Sequence, residues 1–152
     1  MTNRSDLIEI YKIYITDLGN IGSRYVTSNG FYLSIVSAML GILAFAKGDE
    51  LFGKANFVVT VAIPLFGCVI CWIWLKTLDF FNALFAAKFS MLRSIEERLD
   101  IKCYTTEDEF LQKIHAEQKL PIRLIPIERK VPVVLAMLFI GITITSIVAS
   151  YL

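Results

Sequence analysis

The sequence predicts an all-α membrane protein with three transmembrane helices and a helical cytoplasmic portion, and two observations lead to this prediction. Hydrophobic residues make up 56% of the 152 residues and charged residues only 19%, whereas a soluble domain averages about 45–50% apolar and about 25% charged residues. The apolar residues also gather in three runs that contain no charge, each near the length needed to cross a hydrocarbon core of about 30 Å.

The charge and cysteine content argue against several other classes of protein. The net charge is +1, and nucleic-acid binding depends on an excess of Lys and Arg that neutralises phosphates. We therefore expect no direct nucleic-acid binding. Three cysteines and one histidine make a four-ligand zinc site hard to assemble, and no Gly-rich phosphate loop or H-E-x-x-H motif occurs. We expect no metal and no cofactor.

Residues 5–26 are predicted to form an amphipathic cytoplasmic helix. One stripe recurs at spacings of four and three, which is the pattern of a packed helical face. This stripe packs on the protein's own cytoplasmic helices, contacts another subunit or lies in the membrane interface, and the sequence leaves the three alternatives open. Its members are Leu7, Tyr11, Tyr14, Leu18, Ile21 and Tyr25.

The three predicted spans are residues 31–46, 57–75 and 131–152. The first covers only about 24 Å as a helix, so we expect Lys47 to extend its ammonium group toward the headgroups. Pro132 lies near the start of the third span, where a missing backbone N–H does no harm. No charged residue or histidine interrupts any of the three runs.

The segment between the second and third spans is predicted to be helical for most of its length. No breaker follows the second span, so one helix continues from Asn56 to about Leu99. Thr106 and Glu109 form a capping box, which predicts a further helix over 106–118. Prolines then predict an extended strap that leads to the third span. The apolar face expected on the long helix is Phe81, Leu84, Phe85, Phe89, Leu92, Ile95 and Leu99.

Basic residues predict the orientation in the membrane. Ten lie between the second and third spans and three precede the first, but only Lys54 lies between residues 48 and 56. The positive-inside rule therefore places the N-terminus and residues 76–130 in the cytoplasm and the C-terminus outside. Trp72 and Trp74 fit an aromatic belt at the cytoplasmic end of the second span.

Small and hydroxyl residues form one face on each span. Such faces allow close helix–helix approach and interhelical hydrogen bonds. They serve packing within one protomer or line a narrow pore in an oligomer. Because no Asp, Glu, Lys, Arg or His lies inside any span, an ion-coupled transporter is disfavoured. The candidate residues are Ser34, Gly41, Thr60, Gly67, Gly141 and Thr145.

Two features that suggest enzyme chemistry have simpler interpretations. His115 lacks the Arg four to six residues upstream that nucleases of the HEPN type use, and no activated nucleophile is close in sequence. Cys68 and Cys71 form a C-x-x-C inside a span, where thiols behave as apolar packing groups. The sequence therefore does not predict an enzyme.

Three short motifs resemble those of small bacterial integral membrane proteins. The residues are Ser28, Asn29 and Phe31 before the first span; Asn82, Ala87, Lys88, Phe89, Glu96 and Leu99 along the long helix; and Ile127, Glu128, Val131 and Pro132 before the last span. That group is similar to membrane effectors of bacterial antiviral defence, including the pore-forming accessory protein of type VI-B CRISPR systems.

The resemblance implies a homo-oligomer of the bacterial inner membrane that forms a pore or depolarises the membrane. It also singles out Asn29, Asn82, Lys88, Glu96, Glu128 and Pro132 as structural or oligomer residues. We expect Asn29, Asn82 and Glu128 to hydrogen-bond helix ends, Lys88 or Arg129. The alternative function is a non-conducting anchor or scaffold for a cytoplasmic protein partner.

Overall fold

The computed structural model describes residues 4–46, 56–118 and 125–151, and every element in these ranges is an α-helix. The all-α prediction is therefore confirmed. In chain order the helices are α1 (Arg4–Ala46), α2 (Asn56–Leu99), α3 (Cys103–Gln118), α4 (Ile125–Glu128) and α5 (Lys130–Tyr151). Three of them, α1, α2 and α5, are long and apolar enough to cross a membrane.

Helix α1 includes both the predicted amphipathic helix and the predicted first span. Residues 5–26 and 31–46 were predicted as separate helices, but the helix runs through residues 27–30 without interruption. No proline occurs in α1, and Gly30 alone is not enough to end a helix whose flanking residues pack on other helices. Lys47 lies outside the described residues.

The chain divides into two compact units. Unit 1 consists of Met1–Val26 and Asp79–Pro126, and unit 2 consists of Thr27–Leu78 and Ile127–Leu152. Unit 2 contains all three predicted spans. Unit 1 contains the amphipathic part of α1, the second half of α2 and helix α3.

The core of unit 2 is apolar and draws on three helices. Val36, Met39 and Leu43 come from one face of α1, Cys71 from α2 and Phe139 from α5, and each is buried. Spacings of three and four residues on α1 bring its three side chains to the same face. Cys71 is fully enclosed, in agreement with its interpretation as a packing residue.

The core of unit 1 contains the predicted stripe of α1 and the end of α2. Ile21 is buried and the other five members of the stripe are half-buried. The ring of Tyr25 lies edge-on to Phe81 and Phe85, with centroid separations of 5.4 and 6.0 Å. Of the three alternatives for this stripe, the structure shows packing on the protein's own helices.

Helix α2 ends in a left-handed turn that prepares the start of α3. Asp100 has φ 55°, a conformation that Asp tolerates better than most residues. The N–H of Ile101 donates to the Glu96 carbonyl at 3.1 Å, as in a Schellman motif. The chain thereby reverses within a few residues, and α3 begins beside the helix that precedes it.

Two predicted boundaries were wrong. Helix α3 begins at Cys103, not at Thr106, because the Glu96 side chain caps it in place of the local Thr106–Glu109 box. Residues Ile125–Glu128 form a helical turn where we predicted an extended strap, since Pro126 is compatible with the first turn of a helix. Pro121 lies outside the described residues.

Candidate functional site

Glu96 is the most enclosed charged residue in the described part of the chain, with 1% of its surface exposed. Its Oε1 accepts the hydroxyl of Tyr11 at 2.9 Å and the backbone N–H of Tyr104 at 2.8 Å. Its Oε2 accepts the N–H of Thr105 at 3.3 Å and the Thr105 hydroxyl at 3.0 Å. One carboxylate therefore joins α1, α2 and the first turn of α3.

The position of this carboxylate suits a negative charge. The first N–H groups of a helix have no partner within it and carry a partial positive charge. Burial alone would raise the pKa of Glu96, but the hydrogen bonds from Tyr104, Tyr11 and Thr105 outweigh burial, and the pKa lies below its ordinary value. Burial and the bond to Glu96 raise the pKa of Tyr11, so the phenol keeps its proton and remains a donor.

A second set of polar contacts in unit 1 involves Lys88. Its ammonium group pairs with the Asp17 carboxylate and lies 4.5 Å from the centre of the Tyr14 ring. These contacts connect α2 to α1 at Tyr14, a member of the half-buried stripe that begins at Leu7. Lys88 thus pairs with an acidic residue of α1 that the sequence analysis did not select.

A polar cluster in unit 2 surrounds Asn29. The indole N–H of Trp74 donates to Asn29 Oδ1 at 2.9 Å, and the Asn29 amide donates to Glu128 Oε2 at 3.4 Å. Tyr32 stacks on Trp74 at 5.8 Å between ring centres, and its hydroxyl lies 3.0 Å from the Thr77 hydroxyl. The cluster links α1, α2 and α4.

Gly67 permits a close approach of α2 and α5 in unit 2. A Cβ atom at this position would lie 2.6 Å from the Phe139 ring, far inside van der Waals contact. Phe139 is completely buried, so α2 and α5 meet where the glycine leaves room for the ring. Gly67 is a packing residue within the protomer.

The other predicted small and hydroxyl residues lie outside the apolar core of unit 2, at exposed or half-buried positions. Nothing lies within 4 Å of a Cβ built at Gly41 or Gly141. Ser34 and Thr145 are exposed, and their hydroxyls bond carbonyls of their own helices, those of Gly30 and Ile142. Thr60 is half-buried. The exposed positions Ser34, Gly141 and Thr145 leave space for lipid or for a neighbouring subunit.

The structure separates the residues that the resemblance selected. Asn29 and Glu128 come together in unit 2, where Pro132 is buried in the first turn of α5. Lys88 and Glu96 belong to unit 1 and lie in different contacts, and Asn82 is exposed on α2.

Sequence reasoning missed the partners of these residues. Asp17 was left off the stripe that begins at Leu7, Tyr11 was selected only as part of it, and Trp74, interpreted as a belt residue, is buried with 4% exposure. The hydroxyl of Tyr11, one of three tyrosines on that stripe, was the available signal for a buried polar partner.

The described residues do not assemble a metal-binding group. No cluster of three His, Cys, Asp or Glu side chains suited to a metal occurs among them. The side chain of His115 lies outside what the structure describes. The polar clusters hold helices to one another, and their chemistry is that of structural hydrogen bonding.

Comparison with known proteins identifies one relationship. No curated protein and no solved structure matches the chain. The sequence profile described as the octameric membrane protein family (8xMP) matches residues 8–148, which is nearly the full length. That description agrees with three apolar helices able to span a membrane and with a homo-oligomer. It names no CRISPR system. The chain belongs to the octameric membrane protein family.

Proposed function

We propose that the protein assembles as a homo-octamer in the bacterial inner membrane and acts as a pore-forming or membrane-depolarising effector in antiviral defence. The observation that carries this proposal is membership of a family described as octameric, in a chain with three helices of spanning length. Eight copies related by one repeated contact close into a ring. A ring of membrane helices has a central axis along which ions can pass.

The surfaces of unit 2 support a pore with a weakly polar lining. Exposed hydroxyl and glycine positions occur on α1 and α5, at Ser34, Gly141 and Thr145. The three predicted spans contain no charged residue or histidine. A pathway lined by hydroxyl and apolar groups can close by losing its water. Because the spans contain no Asp, Glu, Lys, Arg or His, we propose that opening depends on rearrangement of unit 1 and not on protons or voltage.

The proposed topology has the N-terminus and unit 1 in the cytoplasm. The support is the excess of basic residues between the second and third spans. A reporter fused after Leu152 should be active outside the cytoplasm, and one inserted at Asp108 should be active inside. The reverse pattern would contradict this arrangement.

Ion flux through liposomes tests conduction directly. Purified protein is reconstituted, and release of a small fluorescent ion is measured while the oligomer is counted by mass photometry. We expect release from an assembly of eight copies with a central hole. Leu18→Glu places a charge on the half-buried stripe of α1 and should abolish release, whereas Asn20→Glu, at an exposed position on the same helix, should leave it unchanged.

A non-conducting anchor for a cytoplasmic partner is the second candidate function. It is favoured by the exposed apolar side chains of Phe110, Leu111 and Ile114 in unit 1, which are suited to contact a protein. If liposomes that contain the intact assembly release no ion, and the assembly has no central hole, the anchor is favoured over the pore.

A further inference from the structure

One face of α3 has the pattern of a subunit contact. Cys103, Glu107, Phe110, Ile114 and Glu117 follow at spacings of four and three residues, and all five are exposed. The large apolar members, Phe110 and Ile114, expose 60% and 42% of their surface. We refer to these five residues as the α3 stripe. It combines two apolar anchors with two carboxylates.

A complementary stripe runs along α1 in the same unit. Ile8, Lys12, Ile15, Gly19, Gly22 and Val26 also follow at spacings of four and three, on a different face of the helix from Tyr11 and Leu18. Ile8, Ile15 and Val26 are exposed, the last at 68%. Nothing lies within 4 Å of a Cβ built at Gly19 or Gly22. We refer to these six residues as the α1 stripe.

Both stripes lie outside the predicted spans. With the predicted spans in the bilayer, we expect lipid to cover the exposed apolar side chains of unit 2 but not those of these two stripes. Heptad-like spacing of exposed apolar residues is the pattern of a helix that packs on another helix. Because the chain is homo-oligomeric by family, a second copy of this chain is the partner that is always present.

We infer that the α3 stripe of one subunit docks on the α1 stripe of the next subunit. The two surfaces differ, so the contact is heterologous and repeats around a ring until it closes. A self-paired contact between identical stripes would instead stop at a dimer. The charges agree with this assignment, since the α3 stripe carries Glu107 and Glu117 and the α1 stripe carries Lys12.

The side-chain sizes and charges select an antiparallel arrangement of the two helices. Phe110 is the largest side chain of the α3 stripe, and the gap between Gly19 and Gly22 is the place on α1 with room for it. With Phe110 there, an antiparallel helix brings Ile114 to Ile15 and Glu117 to Lys12. A parallel helix would bring the uncharged Cys103 to Lys12. Only the antiparallel register pairs the opposite charges.

Disulfide cross-linking of the full chain in lipid tests the contact. In a Cys103→Ser background, Ile15→Cys and Ile114→Cys are introduced together and also one at a time. After oxidation we expect a ladder of cross-linked oligomers from the double variant, because every subunit offers one cysteine to each neighbour. The single variants should remain monomeric on a denaturing gel.

Three results would overturn the inference. Dimers from Ile15→Cys alone would show that α1 pairs with itself. A cross-link confined to one chain would show that the two stripes meet within a subunit. No cross-link in an assembly that is still oligomeric would place the interface elsewhere. The assay reads subunit contacts and not ion flux, so it fails or succeeds independently of the proposed pore.

A glycine substitution supplies a second measurement. Gly19→Leu should weaken assembly by about tenfold or more in concentration, because the added side chain occupies the space assigned to Phe110. It should not unfold the protomer, since a Cβ built at this position has no atom of a neighbouring element within 4 Å. Asn20→Leu, at an exposed position off the stripe, is the control. If Gly19→Leu and Asn20→Leu assembled at the same protein concentration, the proposed contact between the stripes would be contradicted.

Discussion

The two units of the chain use different interactions to hold their helices together. Unit 2 is centred on an apolar cluster with Phe139 seated on Gly67, and its polar cluster at Asn29 is only half-buried. Unit 1 places an ionised carboxylate, Glu96, in its core. Packing of apolar side chains dominates in unit 2, and hydrogen bonds to a buried carboxylate dominate in unit 1. The two units should therefore respond differently to substitution.

The exposed apolar residues of the two units are also expected to contact different partners. Side chains such as Phe45 and Val134 on unit 2 belong to the predicted spans, where contact with lipid is expected. Phe110 and Val26 belong to unit 1, beyond those spans, and expose 60% and 68% of their surface. In a protein that forms oligomers, we assign the second group to contacts between subunits.

The largest expected effect is that of removing the Glu96 carboxylate. Glu96→Ala leaves two backbone N–H groups and two hydroxyls without their acceptor, and we expect a loss of about 3 kcal/mol or more in the stability of unit 1. Hydrogen exchange at the Tyr104 and Thr105 amides measures it. Glu97→Ala, at the exposed neighbouring position, is the control. Unchanged protection in Glu96→Ala would show that the carboxylate does not cap α3.

The next effect concerns packing in unit 2. Gly67→Ala places a methyl group 2.6 Å from the Phe139 ring and should destabilise the protein by about 1–3 kcal/mol. Gly30→Ala meets no neighbouring atom and should be neutral or stabilising, because Ala favours helix by up to about 1 kcal/mol. Thermal unfolding in detergent should move the two midpoints in opposite directions. Equal shifts would mean that the α2–α5 contact is not close.

Acid should act on unit 1 before unit 2. Because the folded-state pKa of Glu96 lies below its ordinary value, the charged carboxylate contributes stability at neutral pH. This contribution declines as the pH falls below the ordinary glutamate pKa of about 4.3 and is lost below the folded-state value. Hydrogen exchange of α3 amides across this range checks the prediction. The same acid-dependent loss in Glu96→Gln would assign it to another group.

The smallest effect is expected at a surface ion pair. Arg93 and Asp108 are 2.7 Å apart, with 49% and 36% of their side chains exposed. Such pairs contribute about 0–1 kcal/mol, so Arg93→Ala should barely change the protection of α3 amides. A loss as large as that in Glu96→Ala would show that this pair, and not the buried carboxylate, holds α3.

Most of the helical organisation could be predicted from local patterns. The unbroken α2 from Asn56 to Leu99 follows from the absence of a breaker other than Pro64, which unit 2 buries. The start of α3 could not be predicted, because its cap comes from Glu96 and not from the adjacent Thr106. Most of the resemblance-selected residues lie in polar contacts, but their partners Tyr11, Asp17 and Trp74 could not be identified from spacing.

The sequence by itself determined the class of the protein, because uncharged apolar runs of spanning length are a local property of the chain. It also determined which residues of α1 form a packed face, because helical periodicity is local, but it left open what covers that face. Only the tertiary structure decided that Tyr11 reaches Glu96, which is 85 residues away, and that Gly67 meets Phe139. Those contacts depend on how separate helices pack, and the patterns within one helix do not specify its partners.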